Sequence, residues 1–174
     1  DEPRPGITHI RDMDREFLKN QKEPEKFMEN VYEEILNDQY SVKQYARFID
    51  VLLHHENGAV LWHCSTGKDL TGIAAAILLC ALGVSGNEIR EDYRRTDSCL
   101  EKEKIYTMRF LESCPDTGKR ETKNAEVFFA TEQQWLDRAF AALEKNYGSV
   151  EQFLKKGLYL TPKAQEELRT KYLI

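Results

Sequence analysis

A cysteine inside a short, glycine-containing loop is the feature of this sequence with the clearest chemical potential. Residues 63–72 read His-Cys-Ser-Thr-Gly-Lys-Asp-Leu-Thr-Gly, and we call this segment the cysteine loop. A short apolar run, residues 59–62, precedes it, and a longer one, residues 73–79, follows it. This order predicts a buried strand, a loop and a buried helix.

A loop that leads into a helix is suited to bind an oxyanion. The first backbone N–H groups of a helix have no partner, and the helix dipole places partial positive charge there. Gly67 lets the backbone approach an anion closely, and Ser65 and Thr66 add hydroxyl groups. The same donors can stabilise the thiolate of Cys64, so this position predicts a lowered thiol pKa and a nucleophile.

Two charged residues complete the predicted chemistry. Lys68 adds positive charge to the loop, and the carboxyl group of Asp69 could protonate a departing oxygen. Together these residues predict displacement at phosphorus by Cys64, through a cysteinyl-phosphate that water then hydrolyses. A buried, inert cysteine is the competing interpretation. A nucleotide P-loop is excluded, because Trp62 and Asp69 stand where that motif requires glycine and Ser or Thr.

Helical patterns dominate the elements that must position this loop. Residues 11–23 suit either a mobile segment or a short helix. The predicted helices cover residues 24–37, 42–53, 73–82, 85–93, 100–113, 127–147, 150–154 and 161–172. Gly83 is the expected terminator of the third, Ser85 and Glu88 form an expected capping box, and Thr161 before Pro162 opens the last helix. Only residues 59–63 form a clear strand pattern, with a second candidate at residues 7–10. A central sheet needs more strands than this, so either some helical patterns are strands or the first strands precede Asp1.

Composition narrows the class of protein. The 174 residues suit one domain, and 25 Lys and Arg against 30 Asp and Glu give a net charge of −5, which argues against nucleic acid as a partner. Residues 73–82 are too short an apolar run to span a membrane. The four cysteines lack metal-binding spacing, so we expect no metal, no cofactor and reduced thiols. This favours a cytoplasmic protein, although secretion stays open because the natural N-terminus could lie upstream.

The cysteine loop resembles the signature of the cysteine-based protein tyrosine phosphatases, H-C-x-x-G-x-x-R. It is most similar to a bacterial and fungal branch whose loop reads H-C-x-x-G-K-D-R-T-G and which includes enzymes that also accept phosphoinositides. The likeness extends to Gly83-Val84, Ile89, Asp92-Tyr93, Thr96, Tyr147-Gly148-Ser149-Val150 and the last helix. It implies one domain over residues 1–174, the C-terminal two-thirds or so of a family member. It also implies a helix-rich α/β fold with a central, mainly parallel sheet flanked by helices, and without the family's first strands.

The resemblance assigns roles to the loop residues. It makes Cys64 the nucleophile and Asp69 the general acid, with Lys68 contacting the phosphate or a second phosphate of a lipid headgroup. His63 would orient the loop, and Thr71 would contact the sulfur or the loop backbone. The backbone and hydroxyl groups of Ser65, Thr66 and Gly67 would bind phosphate. The expected substrates are phosphotyrosine and, as further options, phosphoserine, phosphothreonine or a phosphoinositide, while the oligomeric state is not readable.

One position departs from the family pattern. Leu70 stands where the signature has its phosphate-binding arginine, whose planar fork binds two phosphate oxygens. We therefore expect much reduced activity. The alternatives are a pseudophosphatase that binds phosphorylated ligands or partners, and an enzyme disabled by a deliberate substitution. Arg94 and Arg95 could supply a guanidinium from elsewhere, although a solvated helix face is the favoured interpretation for both.

Overall fold

The computed structural model describes residues 15–173 of the chain, with side chains from Leu18 onward. The described part consists of helices joined by short loops. In chain order they are α1 (Arg15–Asn20), α2 (Pro24–Asn37), α3 (Gln39–His54), α4 (Asp69–Leu82), α5 (Gly86–Ser113), α6 (Lys119–Phe129), α7 (Gln133–Tyr147), α8 (Val150–Gln152), which continues as a π-helical turn (Phe153–Gly157), and α9 (Pro162–Tyr172).

Helix α4 lies inside the bundle and carries the cysteine loop at its N-terminus. Its side chains are apolar on nearly every face, and Ile73, Ile77 and Ala81 are almost fully buried. Helices α3, α5 and α9 pack around it, and α2 packs along α7 beside them. A helix that is apolar all round is stable only when neighbouring helices cover it. The cysteine loop therefore leads directly into a well-buried helix.

Local sequence signals set several helix ends. Asp38 caps α3 by accepting from the backbone N–H of Ser41 at 2.9 Å. Ser85 and Glu88 form the expected capping box at the start of α5. Gly83 ends α4 in the left-handed conformation, with φ of 88°. Thr161 caps α9 and Pro162 occupies its first turn, as predicted.

Two helix predictions are corrected. The patterns at residues 85–93 and 100–113 belong to one continuous helix of 28 residues, α5. No glycine or proline interrupts residues 87–113, so nothing in the sequence stops the helix. Conversely, the pattern over 127–147 is divided between α6 and α7 by a break at residues 130–132.

The predicted α/β architecture is wrong for the described part of the chain, since residues 15–173 contain no strand and no sheet. Residues 59–63, predicted as a buried strand, have no regular secondary structure, and the Leu61 side chain is 87% exposed. A strand forms only when another strand pairs with its N–H and C=O groups, and residues 15–173 offer none. The second candidate, residues 7–10, lies outside the described residues.

In the described range, every helix is either too short or too polar to cross a bilayer.

Candidate active site

The cysteine loop turns sharply immediately before α4. Residues 65–68 form a bend, and Asp69 is the first residue of the helix. Gly67 adopts φ of +70°, a conformation that side chains with a Cβ rarely accept. The glycine therefore allows the backbone to fold around Cys64, whose thiol is half-buried.

Four donors converge on the sulfur of Cys64. Burial of the thiol opposes ionisation, but the nearby hydroxyl of Thr71 and the backbone N–H groups of Thr71, Gly67 and Thr66 favour the thiolate and outweigh that effect. The pKa of Cys64 is consequently lowered from its ordinary value, as the sequence predicted. Among residues 15–173 the buried Thr71 hydroxyl has no hydrogen-bond partner, so it is free to donate to the sulfur once Cys64 is ionised.

Asp69 faces the protein interior and is only 5% exposed. Its Oδ1 accepts a hydrogen bond of 2.6 Å from the hydroxyl of Tyr32 on α2 and lies 3.1 Å from Nζ of Lys68. Two donors on one oxygen hold the carboxylate firmly as an acceptor. The predicted role of general acid is not tested by this geometry and stays a prediction.

Lys68 is also turned inward, although it belongs to the loop. Its side chain is 1% exposed, and Nζ donates to the carbonyl oxygen of Ala130 at 2.9 Å. The ammonium also lies 5.1 Å from the ring centre of Trp135, a favourable cation–π contact. Lys68 thus ties the loop to the break between α6 and α7. Its contact with phosphate stays a prediction, and in this arrangement the ammonium is engaged with Asp69, Ala130 and Trp135.

Three tyrosines support this buried network, and sequence reasoning missed all three. The hydroxyl of Tyr93 on α5 lies 2.6 Å from that of Tyr32, so a chain of donors runs from α5 through α2 to Asp69. Tyr45 on α3 reaches the carbonyl oxygen of Leu70 at 3.4 Å. Burial is the first cause that raises the pKa of each tyrosine, and nearby acidic groups add to it. All three therefore act as neutral hydroxyls.

The signal for these tyrosines was present in the sequence. Each occupies an inward position of a helical stripe that leucine or phenylalanine would fill equally well. A buried tyrosine usually keeps a polar partner for its hydroxyl, so such positions indicate a polar group nearby. The partner itself could not be identified from spacing, because Tyr32 and Asp69 are 37 residues apart.

The other loop residues lie nearer the surface. His63 is exposed, and its Nδ1 lies 3.1 Å from the carbonyl oxygen of Cys64. Ser65 is exposed, and Leu70 points partly outward with 39% of its surface accessible. The predicted phosphate-binding functions of Ser65, Thr66 and Gly67, like the supporting function of His63, remain predictions. The predicted contact of Thr71 with the sulfur or the loop backbone also remains a prediction, and the nearby Thr71 hydroxyl is one cause of the lowered pKa of Cys64.

A cavity of about 420 Å³ opens beside the loop, between α4 and α5. Thr66, Gly67, Thr71 and Gly72 form the side nearest the cysteine. The opposite wall consists of α5 residues, among them Arg95. A ligand held at the loop would therefore have room for its attached group along α5.

The described part of the chain contains no set of side chains that could bind a metal ion. No three His, Cys, Asp or Glu side chains of residues 15–173 are grouped closely enough to hold a metal ion. The four cysteines, Cys64, Cys80, Cys99 and Cys114, are free thiols. The chemistry that the loop residues support is that of a thiolate surrounded by hydrogen-bond donors.

A cysteine whose thiolate is favoured in a loop of N–H groups at a helix start is the arrangement expected of a cysteine-dependent phosphatase. Comparison with known families agrees with this class. Residues 6–174 match the model of the tyrosine phosphatase family, and the chain belongs to that family.

Two curated proteins show similarity at lower coverage. A Nostoc commune tyrosine-protein phosphatase is 30% identical over 119 residues, which cover 67% of this chain and 40% of that protein. A Cupriavidus necator protein, provisionally named a tyrosine-protein phosphatase, is 28% identical over 99 residues, covering 57% of this chain and 35% of its own. The matched region thus spans well under half of either relative.

Proposed function

We propose that this protein hydrolyses phosphotyrosine through a covalent intermediate on Cys64. The observation that carries the proposal is the position of Cys64 in the bend before α4, where the Thr71 hydroxyl and three backbone N–H groups lower the pKa of its thiol and so favour the thiolate. Membership of the tyrosine phosphatase family supports the choice of substrate. Phosphoserine, phosphothreonine and phosphoinositides remain secondary candidates on the same chemistry.

The proposed first step transfers the phosphoryl group to sulfur. The Cys64 thiolate attacks phosphorus, the S–P bond forms, and the bond to the tyrosine oxygen breaks. The backbone N–H groups of Thr66 and Gly67 then bind the charge that spreads over the phosphoryl oxygens. Asp69 is the proposed donor of the proton that the leaving oxygen takes up. To reach that oxygen it has to exchange its hydrogen bond with Tyr32 for one with the substrate.

The second step restores the enzyme. Water attacks phosphorus, the P–S bond breaks, and inorganic phosphate leaves while the thiolate of Cys64 re-forms. The donors that stabilise the thiolate also make it a good leaving group. The proton that the water loses returns to the acid, which closes the cycle.

Leu70 sets the expected rate. A leucine supplies neither charge nor donor where the family signature has arginine, and Lys68 does not replace it while its ammonium is buried. Removal of one preorganised donor from an oxyanion site costs about 10²–10³ in rate. We therefore expect slow turnover with unimpaired loop geometry.

The second candidate function is binding without catalysis. The partly exposed Leu70 and the inward Lys68 favour it, because together they leave the loop without a cationic side chain of its own. In that case the protein would hold phosphorylated ligands through backbone N–H groups alone. Weak phosphate binding with no turnover would be its signature.

The deciding experiment measures hydrolysis of a small aryl phosphate by three proteins. The unmodified chain should turn over slowly, Leu70→Arg should be faster by about 10²-fold or more, and Cys64→Ser should be inactive in either background. Activity that survives Cys64→Ser would exclude the proposed nucleophile. If Leu70→Arg restores nothing while inorganic phosphate still binds, the binding function is favoured instead.

A further inference from the structure

One cationic side chain near the cysteine loop has no part in the proposed chemistry. Arg95 on α5 lies on the wall of the cavity of about 420 Å³, opposite Thr66 and Gly67 of the loop. Among the residues of the described range that line this cavity, it is the only basic one. Lys68, the other cation of this region, is buried with Asp69 and does not line the cavity.

Arg95 is available for a ligand. Its Nη2 lies 3.2 Å from Oε1 of Glu91, one turn earlier on α5, and the two side chains are 70% and 62% exposed. Exposed ion pairs of this kind contribute little stability, because water screens both charges. The guanidinium can therefore exchange Glu91 for an anion in the cavity at small cost.

The rest of the cavity restricts what that anion can be. Ala75, Ala76, Ile89 and Leu100 give it largely apolar walls. A polyhydroxylated ring would cover this apolar area poorly and would depend on the few hydroxyl groups of Thr66, Thr71 and Thr96 for its hydrogen bonds. The carboxylate of Asp92 lies on the same wall as Arg95 and repels a dianionic phosphate more than a single carboxylate. A carboxylate on a short methylene stem suits these walls best.

We propose that Arg95 determines substrate specificity by binding the carboxylate of an acidic residue next to the phosphotyrosine of a peptide substrate. The inference rests on the proposed function, because the phosphotyrosine must occupy the cysteine loop for its neighbour to reach the cavity. Guanidinium and carboxylate groups pair through two parallel hydrogen bonds, which gives both strength and direction. The methylene stem of a glutamate would contact the apolar wall.

The test compares two phosphotyrosine peptides that differ only in Glu or Gln beside the phosphorylated residue. Dissociation constants are measured by calorimetry with the Cys64→Ser protein, so that turnover does not interfere. We expect the Glu peptide to bind about tenfold more tightly, the low end for a hydrogen-bonded charge pair. Arg95→Gln should bring the ratio close to one and leave the affinity for the Gln peptide unchanged.

Arg94→Gln is the matched control. Arg94 is the exposed neighbour on the same helix, and it does not line the cavity. It should keep the preference for the Glu peptide. Because Arg95 is mostly exposed, its substitution is not expected to unfold the protein. A Glu preference that is absent from the parent, persists in Arg95→Gln or disappears equally in Arg94→Gln would overturn the proposal.

Two further comparisons separate this inference from the proposed function. If the unphosphorylated Glu peptide binds as tightly as the phosphorylated one, the loop does not recognise phosphate and the proposed function fails. If binding needs the phosphate but ignores Glu, only the role of Arg95 fails. A preference for a soluble inositol bisphosphate over the monophosphate that depends on Arg95, with no difference between the peptides, would overturn the peptide assignment and indicate a headgroup.

Discussion

The buried position of Lys68 leads to a prediction that is unusual for a cation in a loop proposed to bind phosphate. Replacing Lys68 with methionine should lower the free energy of unfolding by more than it weakens the free energy of phosphate binding. Lys68 lies 3.1 Å from Oδ1 of Asp69 and 2.9 Å from the carbonyl oxygen of Ala130, with almost no exposure to solvent. Methionine keeps most of the side-chain volume, so little cavity is created.

The expected loss of stability follows from the groups that would lose their partner, above all the carboxylate of Asp69. Removing one member of a buried ion pair typically costs about 3–5 kcal/mol, because the remaining charge loses its compensation. Tyr32 would still donate to Asp69, which partly compensates the carboxylate. We therefore expect Lys68→Met to lower the free energy of unfolding by about 3 kcal/mol, near the lower end of that range.

Chemical denaturation followed by circular dichroism measures this free energy. Lys43→Met on the exposed face of α3 is the control, with an expected change within about 0.5 kcal/mol. Asp69→Asn and the double variant complete a cycle that isolates the pairing of the two charges. The coupling between them should be about 1–3 kcal/mol.

The reasoning is refuted if Lys68→Met costs no more stability than Lys43→Met. A variant that remains stable but loses affinity for inorganic phosphate would assign Lys68 to the phosphate instead. A vanishing coupling energy between Lys68 and Asp69, with both single variants destabilised, would show that other contacts hold the loop.

Four further predictions concern the loop and its support. At pH 7, iodoacetamide should modify Cys64 at least about tenfold faster than Cys80, because donors lower the pKa of Cys64 whereas burial raises that of Cys80 to about 11; equal rates would contradict this. Thr71→Val should shift the alkylation profile of Cys64 to higher pH, since the thiolate loses a donor, and an unchanged profile would exclude the hydroxyl contact. Gly67→Ala should cost about 1–2 kcal/mol of unfolding free energy because φ is +70°, and a neutral effect would argue against that backbone conformation. Tyr32→Phe should cost about 1–3 kcal/mol by leaving a buried carboxylate with one donor fewer, and a stability equal to that of the parent would remove the hydroxyl from the network.

Features encoded by neighbouring residues could be predicted from the sequence. The Ser85–Glu88 capping box and the Gly83 terminator depend on residues within one helical turn, and they form as expected. The stabilised thiol of Cys64 is also local, because its donors come from Thr66, Gly67 and Thr71. Short-range geometry decides each of these features.

Features that depend on distant partners could not be predicted. The inward turn of Lys68 requires the carbonyl of Ala130, 62 residues further along the chain. The predicted strand at residues 59–63 failed for the same physical reason. Its apolar pattern is compatible with a strand, but strand formation depends on a partner that residues 15–173 do not provide.

Direct detection of the covalent intermediate tests the central claim, that Cys64 is a phosphoryl-accepting nucleophile. The Leu70→Arg protein is mixed with an aryl phosphate, quenched in acid within a turnover, and its peptides are analysed by mass spectrometry. We predict one added phosphoryl group on the peptide that contains Cys64, and none in the Cys64→Ser counterpart. Turnover with an unmodified Cys64 peptide, or with the phosphoryl group on another residue, would contradict the account.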